Sequence, residues 1–269
     1  MTTQDYYNLP PDENGWRMLP NGDKFKLGLD CIIGNCTVIS DGAKIGNCAK
    51  IGIGAYIGDG VTIGKKVKID NYTTIDNYTT IDDNVLIGYR ATIGYKSTIG
   101  NYAYIGNNAY IANNVTIGKD AYIGNSVNIG NNAYIGNNVV IGNGANIGTW
   151  VKIGNNASIG NKVTIGKDVE IGNDATIETK VTIENNVKIG KDAYINACPA
   201  IGNDVSVSNN DKTIYLVTVI NSAGDYLEHK LFNSLIEAEQ CAKGFGSHCT
   251  IEIWTRVSSN LIQKFNYLG

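Results

Sequence analysis

The sequence specifies an all-β solenoid of about ten 18-residue coils followed by a small α+β domain, and three observations carry that reading. An isoleucine recurs every sixth residue from Ile33 through Ile201, 29 in succession, and Val207 closes the series. Two residues before each of these 30 positions the side chain is small, with 12 Val and 12 Ala among them. The residue after is Gly in 21 of the 30. A period of six excludes an amphipathic helix, whose apolar stripe returns every three to four residues.

Within a short strand, successive side chains alternate faces. The small residue and the isoleucine two later therefore both point inward, and the residue between them points out. Four residues before each isoleucine comes a turn position; of the 29 such positions from 35 to 203, Asn fills 16 and Asp 3. Asn and Gly tolerate positive φ, so the asparagines are expected to hold the left-handed conformation that a sharp corner needs. Three strand-and-turn units close a triangular coil. At about 4.8 Å per coil, ten coils make a prism on the order of 48 Å long around a column of isoleucine.

The tandem I-G-x-x-A/V-x pattern covers residues 31–208 without a register break. It resembles the hexapeptide-repeat superfamily, whose fold is a left-handed parallel β-helix. The left hand is implied by the resemblance alone, because the general preference for right-handed crossovers gives the opposite. Both ends of such a solenoid need covering. Residues 1–30 are read as the segment capping the first coil, with Trp16, Leu19, Phe25 and Leu27 lying over it. Residues 209–269 are read as a small α+β domain. Its strands are KTIYLVTVI (212–220), GDYLEHKLF (224–232) and CTIEIWTRV (249–257), and SLIEAEQCAKG (234–244) reads as a helix between Ser234 and Gly244.

Charge is nearly balanced, 22 basic against 25 acidic residues, and residues 31–207 carry 14 of each with the signs interspersed. No nucleic-acid partner is expected from such a surface. The start, MTTQDYYNLPPDENG, has no apolar core of a signal peptide, and no stretch is apolar for long enough to span a bilayer. Six Cys (31, 36, 48, 198, 241 and 249) form neither a CxxC nor a small disulfide framework. These features point to a reducing, cytoplasmic compartment without membrane attachment.

The resemblance implies an acyltransferase with an acyl-CoA donor, a base such as imidazole, and loops that build a substrate pocket. The sequence departs on both counts: residues 31–208 contain no His and no inserted loop. Asp70, Asp76 and Asp82 replace the usual Gly after isoleucine, but fall one per face of the same coil and point apart. His248 beside Cys249, with Cys241 nearby, lacks the paired spacing of a structural zinc site. No residue is therefore assigned a catalytic role, and no metal or cofactor is expected. An acyltransferase with an atypical base is the alternative.

Binding is sought where the repeat departs from itself. In IGYRATIGYKSTIGNYAYIG (87–106), Tyr89 and Tyr95 take turn positions where Asn is the rule, each followed by a cation, Arg90 or Lys96. Tyr72, Tyr78 and Tyr102 occupy neighbouring corners, with Tyr72 expected under Arg90 and Tyr78 under Lys96. An aromatic beside a cation suits an anionic group, either a small ligand or an acidic loop of a host protein. Leu86, Tyr104, Tyr122 and Val140 stack on one face at 18-residue intervals, an outward apolar column that a homotrimer would cover. Thr62, Thr80, Thr98 and Thr116 form a second column, and Trp150 stands at a corner. A loop-free prism with an appended module also resembles proteins of phage and prophage genomes. That resemblance implies a host-factor antagonist in the host cytoplasm or, alternatively, a virion fibre part.

Overall fold

A computed structural model describes residues 1–195, 200–204 and 206–207, and beyond them the backbone of strands Thr213–Ile220, Tyr226–Phe232, Cys249–Val257, Asn260–Leu261 and Asn266–Leu268. From Ile32–Ile33 to Ser206–Val207 nearly every strand is two residues long, an outward residue and the inward one after it. Each pairs in parallel with the strand 18 residues on, as Leu86 and Ile87 do with Tyr104 and Ile105. Three parallel sheets result, one per face of a triangular prism. Face I runs from Lys24–Leu27 to Ser206–Val207, face II from Ile32–Ile33 to Tyr194–Ile195, and face III from Val38–Ile39 to Ala200–Ile201. Tyr226–Phe232 then joins face III in parallel, and Thr213–Ile220 pairs antiparallel with both it and Cys249–Val257. The helix expected over 234–244 lies outside the described residues.

Among the described residues the isoleucines are buried from one end of the prism to the other, as are the Val and Ala two residues before them. Burying each isoleucine contributes on the order of 2 kcal/mol, and the column is continuous.

The corners differ from expectation. Positive φ falls one residue after the asparagine, on the third residue past each isoleucine, at Tyr72, Asn84, Arg90, Asn108 and onward. The asparagine has another task. Its side-chain oxygen accepts the backbone N–H of the residue one coil earlier: Ile53 donates to Asn71 at 2.7 Å, Tyr89 to Asn107 at 2.8 Å, Asn137 to Asn155 at 2.8 Å. Every one of the 16 asparagines at this position accepts such a bond except Asn35, which has no coil beneath it. Where glycine follows the isoleucine it leaves room for this ladder. A Cβ on Gly118 would stand 2.6 Å from Asn137 Oδ1 and 2.7 Å from the Asn137 nitrogen.

The lower end also departs from the sequence reading. The repeat begins one strand earlier than Ile33: Leu27 lies in register with Ile45, and Phe25, fully buried, with Ala43. Phe25 and Leu27 are thus rungs of the solenoid, and Trp16 lies on the outside of face I, 4.8 Å from the Lys26 ammonium. The plug is helix α1, Thr3–Asn8, opened by a capping box between Thr2 and Asp5. Buried Tyr6 packs edge-on to Phe25 at 5.7 Å and donates its hydroxyl to the Thr37 carbonyl at 2.8 Å. Tyr7 donates to the Gly28 carbonyl and accepts from the Cys31 N–H, while Thr3 exchanges two hydrogen bonds with the Ile33 backbone. Arg17 stacks on Tyr7 and donates to the Tyr7 and Leu9 carbonyls, tying the helix to the hairpin Arg17–Met18/Lys24–Leu27. Burial raises the Tyr6 phenol and the Cys31 thiol above their ordinary ranges, as expected for groups shut in beneath a plug.

Two substitutions separate the ladder from the room it needs. Asn137→Ala removes one net hydrogen bond and is expected to cost about 1 kcal/mol. Gly118→Ala forces a side chain against backbone and is expected to cost about 2 kcal/mol or more. Chemical denaturation of the two variants reads the order; equal losses would refute the glycine's role.

Candidate functional site

Two corners carry the same construction. Between faces II and III, Tyr72 meets Tyr89 edge-on, with ring centres 5.8 Å apart. Between faces III and I, Tyr78 meets Tyr95 at the same 5.8 Å. The Arg90 guanidinium lies 5.0 Å from the centre of the Tyr89 ring, and the Lys96 ammonium 5.0 Å from that of Tyr95. Both lower tyrosines rest on glycines: a Cβ on Gly54 would approach the Tyr72 ring to 2.8 Å, and one on Gly60 would approach the Tyr78 ring equally closely.

The interior changes behind these corners. At the small inward position, Thr73, Thr79 and Ser97 replace Val or Ala and are buried. Thr79 donates to the Gly94 carbonyl of the coil above at 3.0 Å and Ser97 to that of Ala112 at 3.0 Å, while Thr73 shares its hydroxyl between the Asp70 carbonyl of its own coil at 2.9 Å and the Gly88 carbonyl above at 3.1 Å. Gly88 immediately precedes Tyr89, and Gly94 immediately precedes Tyr95. The two threonines therefore pin the backbone from which the upper tyrosines project. Sequence reading placed these residues only as small; the hydroxyl in place of a methyl was the available signal.

The corner backbone is also costly. Tyr72, Tyr78, Arg90, Lys96 and Tyr102 have φ of 58°, 57°, 54°, 54° and 61°. For residues other than Gly, Asn and Asp this conformation costs about 1–2 kcal/mol each. The same conformation recurs at Lys66, Ser126, Trp150, Lys162 and Lys180, so it belongs to the corner of the solenoid, and the side chains placed on it distinguish these two corners.

The structure assembles the expected residues into two clusters. Tyr72, Tyr89 and Arg90 form one and Tyr78, Tyr95 and Lys96 the other, on either side of face III, where Thr74 and Thr92 are half-buried. The ring that Tyr72 meets is that of Tyr89, and Arg90 lies against the same Tyr89 ring. Tyr102 stands apart on the third corner, 5.9 Å from Lys119. Of the aspartates, Asp70 pairs with Lys68 at 3.4 Å, and Asp76 accepts the Asn77 N–H at 2.7 Å. Asp76 thereby supplies the cap that a ladder asparagine would have given had Tyr95 not taken its place. On face II, Leu86, Tyr104, Tyr122 and Val140 lie on four consecutive strands. Leu86, Tyr122 and Val140 are 44%, 43% and 45% exposed, and the Tyr104 and Tyr122 rings stack at 4.8 Å. Among the described residues no group of three or more His, Cys, Asp or Glu could hold a metal ion, and no helix is long and apolar enough to cross a membrane. The side chains of His229, His248 and Cys241 lie outside the described residues.

One protein-family model, the GMPPB C-terminal domain, matches residues 32–123 and again 81–169, so that residues 32–169, just over half of the chain, are covered. The chain belongs to the hexapeptide-repeat family of left-handed β-helices. Solved structures similar to this family member include UDP-N-acetylglucosamine O-acyltransferase from Moraxella catarrhalis RH4, 23% identical over 67% of this chain and 70% of that one, with a TM-score of 0.34. The Francisella novicida UDP-N-acetylglucosamine acyltransferase is 17% identical over 80% of this chain and 74% of its own, with a TM-score of 0.36. A further UDP-N-acetylglucosamine acyltransferase is 20% identical over 66% and 71%, with a TM-score of 0.40. No curated protein matches the sequence significantly.

Tyr102 offers a measure of corner strain, because its side chain is 57% exposed and stands apart from the two tyrosine pairs. Tyr102→Asn is expected to stabilise the prism by about 1 kcal/mol by restoring a residue that accepts left-handed backbone. Thermal or chemical unfolding checks the sign; a loss of stability would mean that the ring contributes packing beyond the strain it causes.

Proposed function

We propose that the chain is a non-catalytic binding protein: a rigid, self-associating prism that presents its two tyrosine–cation corners to an anionic group on a small ligand or a partner protein. The observation that carries this reading is the pair of aromatic–cation clusters, Tyr72–Tyr89–Arg90 and Tyr78–Tyr95–Lys96, seated on glycines below and buttressed by buried hydroxyls behind. Stability alone favours Asn or Gly at these positions. Aromatic rings held edge-on and capped by a cation offer a flat apolar surface and a positive charge at one point, which suits a planar anion or a carboxylate-bearing loop.

The exposed column on face II supports self-association. Leu86, Tyr104, Tyr122 and Val140 extend about 14 Å along the axis at the strand spacing, without a charged residue among them. A three-fold assembly with prisms side by side covers such a stripe in every copy.

Replacing both Arg90 and Lys96 with Ala is expected to leave the melting temperature unchanged and to abolish retention of the anionic molecule or acidic partner that co-purifies with the unaltered chain. Retention by the double variant would refute the assignment. Titration with acetyl-CoA is expected to give no heat, and saturable binding with transfer of the acyl group would replace this reading with acyl transfer. For assembly, Leu86→Lys with Tyr122→Lys is expected to convert a trimeric mass in light scattering to a monomeric one; an unchanged mass would move the interface elsewhere.

A further inference from the structure

Among the described residues, face III alone carries a tyrosine–cation cluster along each edge, with Arg90 on one side and Lys96 on the other. Between the edges, the outward column runs Tyr56, Thr74, Thr92, Tyr110 in direct register. The two threonines are half-buried, while Tyr56 and Tyr110 are 39% and 51% exposed. A floor of hydroxyls is thus framed by tyrosines on all four sides. From Tyr56 to Tyr110 is three strands, about 14 Å at the strand spacing. Six of the chain's 16 tyrosines surround this one area, a concentration that the repeat itself does not require.

The charges on this face are unbalanced. Arg90 and Lys96 stand at the two ends of one strand-and-turn unit, and neither forms an ion pair among the described residues. The carboxylates on the same corners are already engaged. Asp76 accepts the Asn77 N–H at 2.7 Å, the Asn77 amide reaches Asp59 at 3.5 Å, and Asp70 pairs with Lys68 at 3.4 Å. Each upper ring already meets a tyrosine and a cation. The pairs therefore suit a partner that brings carboxylates better than one that stacks a sugar or a base. Tyrosine and arginine are also the residues enriched in protein interfaces, where rings supply rigid contact area at little entropic cost. The threonine hydroxyls of the floor can donate and accept, as an extended peptide backbone requires.

We infer that face III binds an extended acidic segment of a partner protein, laid across Thr74 and Thr92 with one carboxylate at Arg90 and a second at Lys96. The inference rests on the binding role proposed for the two corners and joins them into one site. The six residues from Arg90 to Lys96 would span about 20 Å if fully extended. The coil bends at each corner, so the two cations are closer than that. In an extended segment, residues on one side recur every second position, at about 6.6 Å. Carboxylates four residues apart, about 13 Å, fit the gap, and the residue midway between them faces the threonines.

The test uses the full-length chain and labelled serine–threonine peptides carrying one glutamate, two adjacent glutamates, or two glutamates four residues apart. Fluorescence anisotropy reads affinity and calorimetry reads stoichiometry. The expected result is one peptide per chain, with the four-apart peptide binding at least tenfold more tightly than the other two. Arg90→Ala alone, or Lys96→Ala alone, should reduce it to the level of the single-glutamate peptide. Thr92→Glu, which puts a carboxylate on the floor and leaves both clusters intact, should abolish binding. Unchanged melting temperatures confirm that these surface variants remain folded. Two peptides per chain, with each single variant keeping one at undiminished affinity, would overturn the bridge and leave the corners as separate binding sites. Failure of every peptide to bind at millimolar concentration would overturn the inference, as would binding of polygalacturonate in place of the peptides. The binding role of the corners is read separately, by whether Arg90→Ala/Lys96→Ala loses the co-purifying molecule, so the two readings fail independently.

Discussion

Everything in this prism depends on one constraint: the backbone of each coil must hydrogen-bond to the coil 18 residues away, on all three faces and at all three corners. The two-residue strands satisfy the faces, but strands this short leave much of each coil in turns. The corners complete the pairing in two ways. The N–H of the left-handed residue reaches a carbonyl in the coil below, as Asn108 does to Tyr89 at 2.8 Å. The N–H before it is taken by an asparagine from the coil above. With both groups satisfied, the turn behaves as an extension of the sheet, and the six-residue period can continue without loops.

That constraint explains which parts of the molecule could be read from the chain. The fold was legible because a single spacing encodes it: isoleucine every sixth residue, with a small residue two before, leaves no other periodic structure. The column Leu86–Val140 and the threonine column Thr62–Thr116 follow by arithmetic once the coil length is known, and both lie in register. The role of asparagine was not legible. Its tolerance of positive φ and its side-chain oxygen both make it common in turns, and only the geometry shows that the oxygen is the part in use. The lower end was obscured for a related reason. Phe25 and Leu27 keep the period but change the residue type, so they resembled a cover when they are rungs.

The tyrosine corners were visible as departures from the repeat, whereas their support was not. Thr73 and Thr79 are unremarkable in sequence because threonine nearly matches valine in size, and the consequence lies in the carbonyls their hydroxyls reach. Gly54 and Gly60 likewise look like ordinary turn residues until the rings above them are placed. Position in the coil decides the meaning of each residue, and the same glycine serves as a turn, a seat or a clearance according to which of the six places it holds.

The seal formed by residues 1–9 has a bearing on how the chain is made. All the partners described for it, from Arg17 to Thr37, come early in the chain. Domains fold as the chain emerges, and a stacked repeat needs only its neighbour as a template. A closed base can therefore form early in translation, after which each new turn adds to a surface already in register. Growth then has a direction, and the apolar interior is open to solvent only at the advancing rim, never at both ends at once.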